Sequence, residues 1–181
     1  VGSAPEILMA AVAARTTRGR IGAFPYSLLV RDETGAKQLA ELRGKRIGVS
    51  SRTKSNMGLL WLETLLADAR LGRASRFFSS LEITYRASAC VLPLFFGRLD
   101  ACVVDSANWD LLKELNPQLA KLRVLSASAE LLEGLIAMPV QPHQYRPELI
   151  DSIMSLHKQP GGGQLAIVFR TGPLVPVGQE H

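Results

Sequence analysis

The chain has 181 residues, 47% of them hydrophobic and 20% charged, with no low-complexity tract; this suffices for one domain or two small lobes around a buried core and excludes a disordered class. No apolar run approaches the roughly 20 residues that a membrane-spanning helix requires. A formal net charge of +5 favours acidic partners, but the basic residues are scattered and aromatics make up only 6%, which argues against nucleic acid and leaves anionic lipid or a small anion.

Val1-Gly2-Ser3 reads as a strand end turning into a helix over residues 4–14, with Ser3 as cap, Pro5 in the first turn and Glu6 completing a capping box. Residues 24–30 have strand character and stop at the polar turn 31–35. A short helix over 36–42 follows, with Gly44 near its C-cap. Residues 47–49 form a buried strand, and 57–69 a helix with Leu60, Trp61 and Leu65 on its apolar side. A strand at 81–84 precedes a helix at 88–96, whose Pro93 belongs to a kink or to the last turns. The strand 101–104 leads to a helix at 107–115, stopped by Asn116-Pro117. Strands at 122–125 and 135–138, a helix at 147–157, a glycine break at 161–163 and a last helix at 164–169 complete the chain. Strands of four or five residues alternating with helices of about ten indicate an α/β sheet with crossover helices.

Hydroxyls recur where strands turn into helices: at Ser3, at Ser55 with Asn56, at Ser88 and at Asp105-Ser106. Each alone is an ordinary helix cap. Together they place unpaired N–H groups, hydroxyls and helix dipoles at the carboxyl ends of strands, where open α/β sheets collect ligands. Ser55 and Asn56 either coordinate an oxyanion or simply cap. Arg86 either clamps a charged group beside Ser88 or is a surface arginine. Asp105 either faces a ligand's cationic or hydroxyl end or assists Ser106 in capping through Asn108 and Trp109.

Catalytic sets are poorly represented. His143, His157 and His181 have no metal-ligand spacing, and there is no Gly-x-Ser-x-Gly elbow, P-loop or paired-cysteine zinc motif. Only Asp105 or Cys90 offers itself as an enzyme's working group. Cys90 and Cys102 read as two buried small hydrophobes, although an oxidising compartment would permit a disulfide that spacing does not reveal. No metal or cofactor is expected.

These residues carry a family resemblance. The run Leu39-Ala40-Glu41-Leu42-Arg43-Gly44-Lys45-Arg46-Ile47-Gly48-Val49 resembles the start of the second lobe of type 2 periplasmic binding proteins, in the phosphate/phosphite/phosphonate-binding group of ABC transporters. Ser55 to Gly58 falls on that group's Ser-Thr-Ser-Gly helix start. The stretch Gly97-Arg98-Leu99-Asp100-Ala101-Cys102-Val103-Val104-Asp105-Ser106 matches its Gly-x-x-Asp-Ala strand ending in Asp-Ser. Leu174-Val175-Pro176-Val177 resembles its closing segment, and Val1-Gly2-Ser3 a first-lobe strand end.

The resemblance implies a two-lobed α/β fold with three-layer lobes joined by a hinge. Lobe one, residues 1–40 and 134–181, would be incomplete, since the family's first two βα units precede Val1; lobe two would span 41–133. A small oxyanion would lie between them, with an ABC transporter permease as partner in the periplasm and a dimer covering the incomplete lobe. Carried over by position, Ser55 and Asn56 fall on the anion-binding helix start and Ser88 on the next. Asp105 and Glu133 fall where phosphonate binders face the ligand's amino end. Met57 stands where a second serine is usual, and Ala87 where a histidine is frequent. Other readings on the same scaffold are a ligand-sensing domain of a transcription regulator or receptor, and an enzyme.

Overall fold

Alternation explains the architecture. The computed structural model describes residues 11–14, 23–51, 56–132, 146–164 and 174–177. Its strands in chain order are β1 (Ala11–Ala14), β2 (Ala23–Phe24), β3 (Tyr26–Arg31), β4 (Arg46–Ser50), β5 (Ser80–Thr84), β6 (Ala101–Asp105), β7 (Leu122–Ala127), β8 (Leu131–Leu132) and β9 (Leu174–Val177). The α-helices are α1 (Met57–Asp68), α2 (Ala74–Phe77), α3 (Ser88–Phe95), α4 (Ser106–Leu115) and α5 (Arg146–Met154). The chain forms two compact units: unit 2 is Phe24–Leu131, and unit 1 combines Val1–Ala23 with Leu132–His181.

Unit 2 is built on a five-stranded sheet of order β5-β4-β6-β3-β7. β4 runs parallel to β5 and β6, while β3 is antiparallel to β6 and β7. The near-continuous apolar run of β6 is buried throughout, as expected of a central strand covered on both faces. Alternate residues feed opposite layers. Leu28, Val30, Ile47, Val49, Ala101 and Val103 pack with Trp61, Leu62 and Leu66 of α1 and Phe77 of α2. Leu29, Cys102 and Val104 pack with Cys90, Val91 and Leu94 of α3 and Trp109 of α4. Each fully buried Leu or Val contributes about 1.5–3 kcal/mol, so the two layers carry most of the unit's stability.

The first boundary of unit 2 falls at Phe24, earlier than the division at residue 40 read from the sequence. The reason is β3, whose register with β6 from Tyr26↔Asp105 to Val30↔Ala101 makes it part of this sheet. In unit 1, β1 pairs antiparallel with β9 from Ala11↔Val177 to Ala14↔Leu174. The helix expected over 4–14 is therefore a strand at its described end. The ladder to β9 outweighs the modest helix preference of the alanines.

Smaller corrections share this cause. On α1 the buried residues are Gly58, Trp61, Leu62 and Leu66, whereas Leu60, expected on the apolar side, is 58% exposed. The helix expected at 36–42 is a 3-10 turn, Leu39–Leu42, and that at 147–157 is α5 followed by a 3-10 turn at Leu156–Lys158. Pro93 lies in the last turn of α3, and its carbonyl accepts from Arg98 N at 2.8 Å and Leu99 N at 3.1 Å. The strand expected at 135–138 lies outside the described residues. Among those residues no helix is long and apolar enough to cross a membrane.

Candidate functional site at the carboxyl edge of the unit 2 sheet

Parallel pairing brings the carboxyl ends of β5, β4 and β6 side by side, at Thr84, Ser50 and Asp105. Each strand then hands the chain to a helix start. Because β3 runs the other way, its first residue joins the same edge, with Tyr26 opposite Asp105.

At the β4–α1 junction Ser50 and Ser51 are buried, 1% and 2% exposed, and the Ser51 N–H donates to the Thr84 carbonyl at 2.7 Å. Asn56 is the N-cap residue of α1, in the left-handed region at φ 51° and ψ 45°, and its side chain makes no capping bond. Its Oδ1 is buried without a hydrogen-bond partner among the described residues, and so is Ser50 Oγ. The first turn of α1 comes down on the sheet edge. A Cβ added at Gly58 would stand 3.0 Å from Tyr26 Cε1 and 3.2 Å from the Ser50 carbonyl oxygen, so any larger residue would have to push these neighbours back by a few tenths of an ångström.

At the β5–α3 junction the Thr84 hydroxyl donates to the Arg86 carbonyl at 3.1 Å, folding a tight turn that leaves Tyr85 and Arg86 exposed. Ser88 was expected to cap α3. Instead Ala87 occupies the N-cap position without a side-chain capping bond, and Ser88 is the first helical residue, because the turn holds residue 87 already in helical conformation.

The β6–α4 junction is closed differently. Asp105 itself is the N-cap of α4. It is fully buried, and its two oxygens accept from Asn108 N at 3.0 Å and Asn108 Nδ2 at 2.7 Å. The capping alternative is the one realised, with Asp105 in the role assigned to Ser106. The Ser106 N–H instead donates to the Pro25 carbonyl at 2.8 Å.

Of the residues singled out from the sequence, Asn56, Arg86, Ser88 and Asp105 thus lie along one sheet edge. Ser3, Ser55 and Glu133 lie outside the described residues. Ser50 and Ser51 belong to the polar loop that follows the strand 47–49 in the sequence but, like Tyr26, were not singled out as site residues; the signal available was a polar residue closing an apolar strand, which is weak without the burial that makes it costly.

Cys90 and Cys102 are buried, as read from the sequence, but they are not separate thiols; the disulfide left open there is the arrangement found. They form a disulfide, with Cα atoms 5.9 Å apart, and both residues are fully buried. The bond ties α3 just after Ser88 to β6 just before Asp105, and it removes Cys90 as a nucleophile. Gly48 makes room beneath it, since a Cβ there would stand 2.8 Å from Cys90 Sγ and 2.7 Å from Leu99 Cδ1. Among the described residues no group of three or more His, Cys, Asp or Glu is placed to hold a metal.

At the opposite, amino edge of the parallel strands the polar groups pair with one another. Arg46 Nε and Nη2 donate to Asp100 Oδ2 at 3.0 Å and Oδ1 at 3.1 Å, and Arg46 N donates to Oδ2 at 3.0 Å. The Arg46 side-chain hydrogen bond, helped by its backbone N–H and its charge, outweighs burial and holds the Asp100 carboxyl below the usual range. Arg31 Nη2 lies 3.9 Å from Asp100 Oδ1.

Solved structures with this fold include a Xanthomonas citri protein bound to chloride, 14% identical with a TM-score of 0.68, covering 93% of this chain and 64% of that one. A binding protein component of an ABC phosphonate transporter from Pseudomonas aeruginosa is 9% identical with a TM-score of 0.60, covering 92% and 56%. PhnD1 from Prochlorococcus marinus, in complex with methylphosphonate, is 15% identical with a TM-score of 0.58, covering 94% and 67%. The chain therefore spans about two thirds or less of the length of these structures. None of the curated proteins matches it in sequence. The model of one family, described as ABC transporter, phosphonate, periplasmic substrate-binding protein, matches residues 9–181. With nearly its whole length so matched, the chain belongs to the family of periplasmic substrate-binding proteins of phosphonate ABC transporters.

Proposed function

We propose that this chain is the solute-binding component of an ABC importer and that it captures a small phosphonate-, phosphite- or phosphate-like oxyanion. The observation that carries the reading is the carboxyl edge of unit 2, where α1 and α3 start without side-chain caps and Asn56 Oδ1 and Ser50 Oγ are buried without partners. Uncapped helix starts and the Ser50 hydroxyl suit a ligand that brings acceptor oxygens and negative charge, whereas Asn56 Oδ1, itself an acceptor, suits a hydroxyl or protonated oxygen on that ligand. The first N–H groups of a helix are unpaired, and its dipole favours an anion by about 0.3–1 kcal/mol. Each charge-assisted hydrogen bond adds about 1.5–3 kcal/mol. Four or five such contacts reach about −8 kcal/mol, micromolar binding, without metal or cofactor.

In this reading Asn56 and Ser88, with Ser55 before them, present donors at the two helix starts. The exposed Arg86 attracts the anion over a range that salt shortens. Asp105 is a positioning residue, since its carboxylate is occupied in shaping the first turn of α4. Units 1 and 2 correspond to the two lobes of the family's fold, and Ser3 and Glu133 are proposed as contacts from the flanking segments. The partner is a transporter permease, and the site of action is the periplasm. A fully buried disulfide fits that compartment, because such bonds persist where thiols are not kept reduced.

Thermal unfolding in the presence of methylphosphonate, phosphite, phosphate, sulfonates and nitrate tests this. An anion at a hundredfold its dissociation constant stabilises by about 2.7 kcal/mol. A shift confined to one anion class names the ligand. No shift with any of them sinks the reading for this chain.

A further inference from the structure

Ser50 belongs to neither of the helix starts to which the anion was assigned, yet its hydroxyl is the most conspicuous unpaired group on this edge. We propose that Ser50 Oγ is itself a donor to the bound oxyanion, engaged beneath the first turn of α3; this rests on the anion-binding reading above. Ser50 is 1% exposed, and Oγ has no hydrogen-bond partner among the described residues. Buried hydroxyls in native folds nearly always have one.

The direction of the side chain follows from strand alternation. Val49 packs in the layer of α1. Gly48 faces α3, because a Cβ there would meet Cys90 Sγ. Ser50 shares the face of Gly48. Its height follows as well. From Gly48 to Ser50 the strand climbs about 6.6 Å. Since α3 is a crossover helix running back against β4, the step from Cys90 to Ala87 climbs the same way by about 4.5 Å. Ser50 therefore stands level with the start of α3.

What surrounds it there leaves the hydroxyl for a ligand. Thr84, its register partner on β5, commits its own hydroxyl to the Arg86 carbonyl. On the β6 side the neighbour on this face is the apolar Val104. The α3 start has no side-chain cap, and its Ala89 and Cys90 N–H groups turn back to the Arg86 and Ala87 carbonyls, so an acceptor oxygen here meets the Ser50 hydroxyl and the positive end of the helix dipole. By contrast, α4 on the next strand is already closed by Asp105.

Two side chains at position 50 decide the matter: Ser50→Ala, and Ser50→Cys, which keeps the shape but donates weakly. Each is titrated with methylphosphonate by calorimetry beside the unaltered 181-residue chain, and each is melted without ligand. The expected result is binding about tenfold weaker with an unliganded Tm equal to or above that of the parent, because a hydroxyl without a partner in the free protein contributes nothing to its stability. Unchanged affinity overturns the proposal. So does an unliganded Tm that falls by several degrees in both variants, which would mean that water or protein already satisfies the hydroxyl. If the parent chain itself binds no methylphosphonate, the solute-binding reading fails and this proposal falls with it, an outcome distinct from a parent that binds and variants that bind equally well.

Discussion

The two ends of the unit 2 sheet use their polar residues in opposite ways. At the amino edge Arg46 and Asp100 close on each other through two side-chain hydrogen bonds and a backbone N–H; Arg31 Nε is the one buried polar atom there left without a partner among the described residues. At the carboxyl edge two helix starts are uncapped and two buried side-chain atoms are unpaired, although Asp105 caps α4 and Thr84 closes its own turn. A polar group that is paired internally serves stability, whereas one held ready and unpaired weakens the free protein and strengthens a complex. The contrast separates the edge whose polar groups hold the fold from the edge proposed to bind the anion.

The largest effect should come from the bond that spans this contrast. Replacing both Cys90 and Cys102 by alanine removes a cross-link between residues 12 apart, and urea unfolding should show a loss of about 3 kcal/mol. Anion affinity should also fall if α3 and β6 need the bond to keep their spacing. A double variant as stable as the parent would show that the bond does not hold these elements in solution.

Next comes the amino edge alone. Asp100→Asn should lower Tm by a few degrees at pH 7 and leave anion affinity unchanged. The sign of its pH dependence follows from the lowered carboxyl pKa. Stability from this pair is present above the unfolded value near 3.9 and is lost as pH falls through the lower folded value. The Tm gap between variant and parent should therefore narrow as pH falls below the unfolded value and close once the folded carboxyl is protonated. Parallel melting curves across the range would mean that the pair contributes nothing.

The smallest stability change and the clearest functional one belong to the carboxyl edge. At φ 51° Asn56 occupies a conformation that glycine adopts freely. Asn56→Gly should leave unfolding free energy within about 0.5 kcal/mol of the parent while weakening anion binding several-fold. If instead stability drops and binding holds, the two edges are not divided as described.

The order of elements in unit 2 was legible in the sequence because its signals are local. The apolar run before Asp105 announces a doubly covered strand, and Asn116-Pro117 ends α4 where expected. The edge proposed for the anion was legible for the same reason, since strand, polar loop and helix start follow one another along the chain. Asn56 and Ser88 were singled out from that pattern alone, and the structure lays both along this edge. Ser50 was not, because a serine after Val49 is unremarkable until burial removes its water.

By itself, then, the sequence determined the five strands of the unit 2 sheet, the helices α1, α3 and α4, and which edge gathers the helix starts, since periodicity and turn chemistry act between neighbours in the chain. It suggested a helix at 36–42 that is a 3-10 turn and did not announce α2. The tertiary structure alone decided that residues 11–14 pair as a strand with 174–177, that Cys90 meets Cys102, that Leu60 faces solvent, and that Asp105 rather than Ser106 caps α4. Each of these depends on which atoms arrive from distant parts of the chain, and hydrogen bonding and burial reward that arrival whatever the local preference.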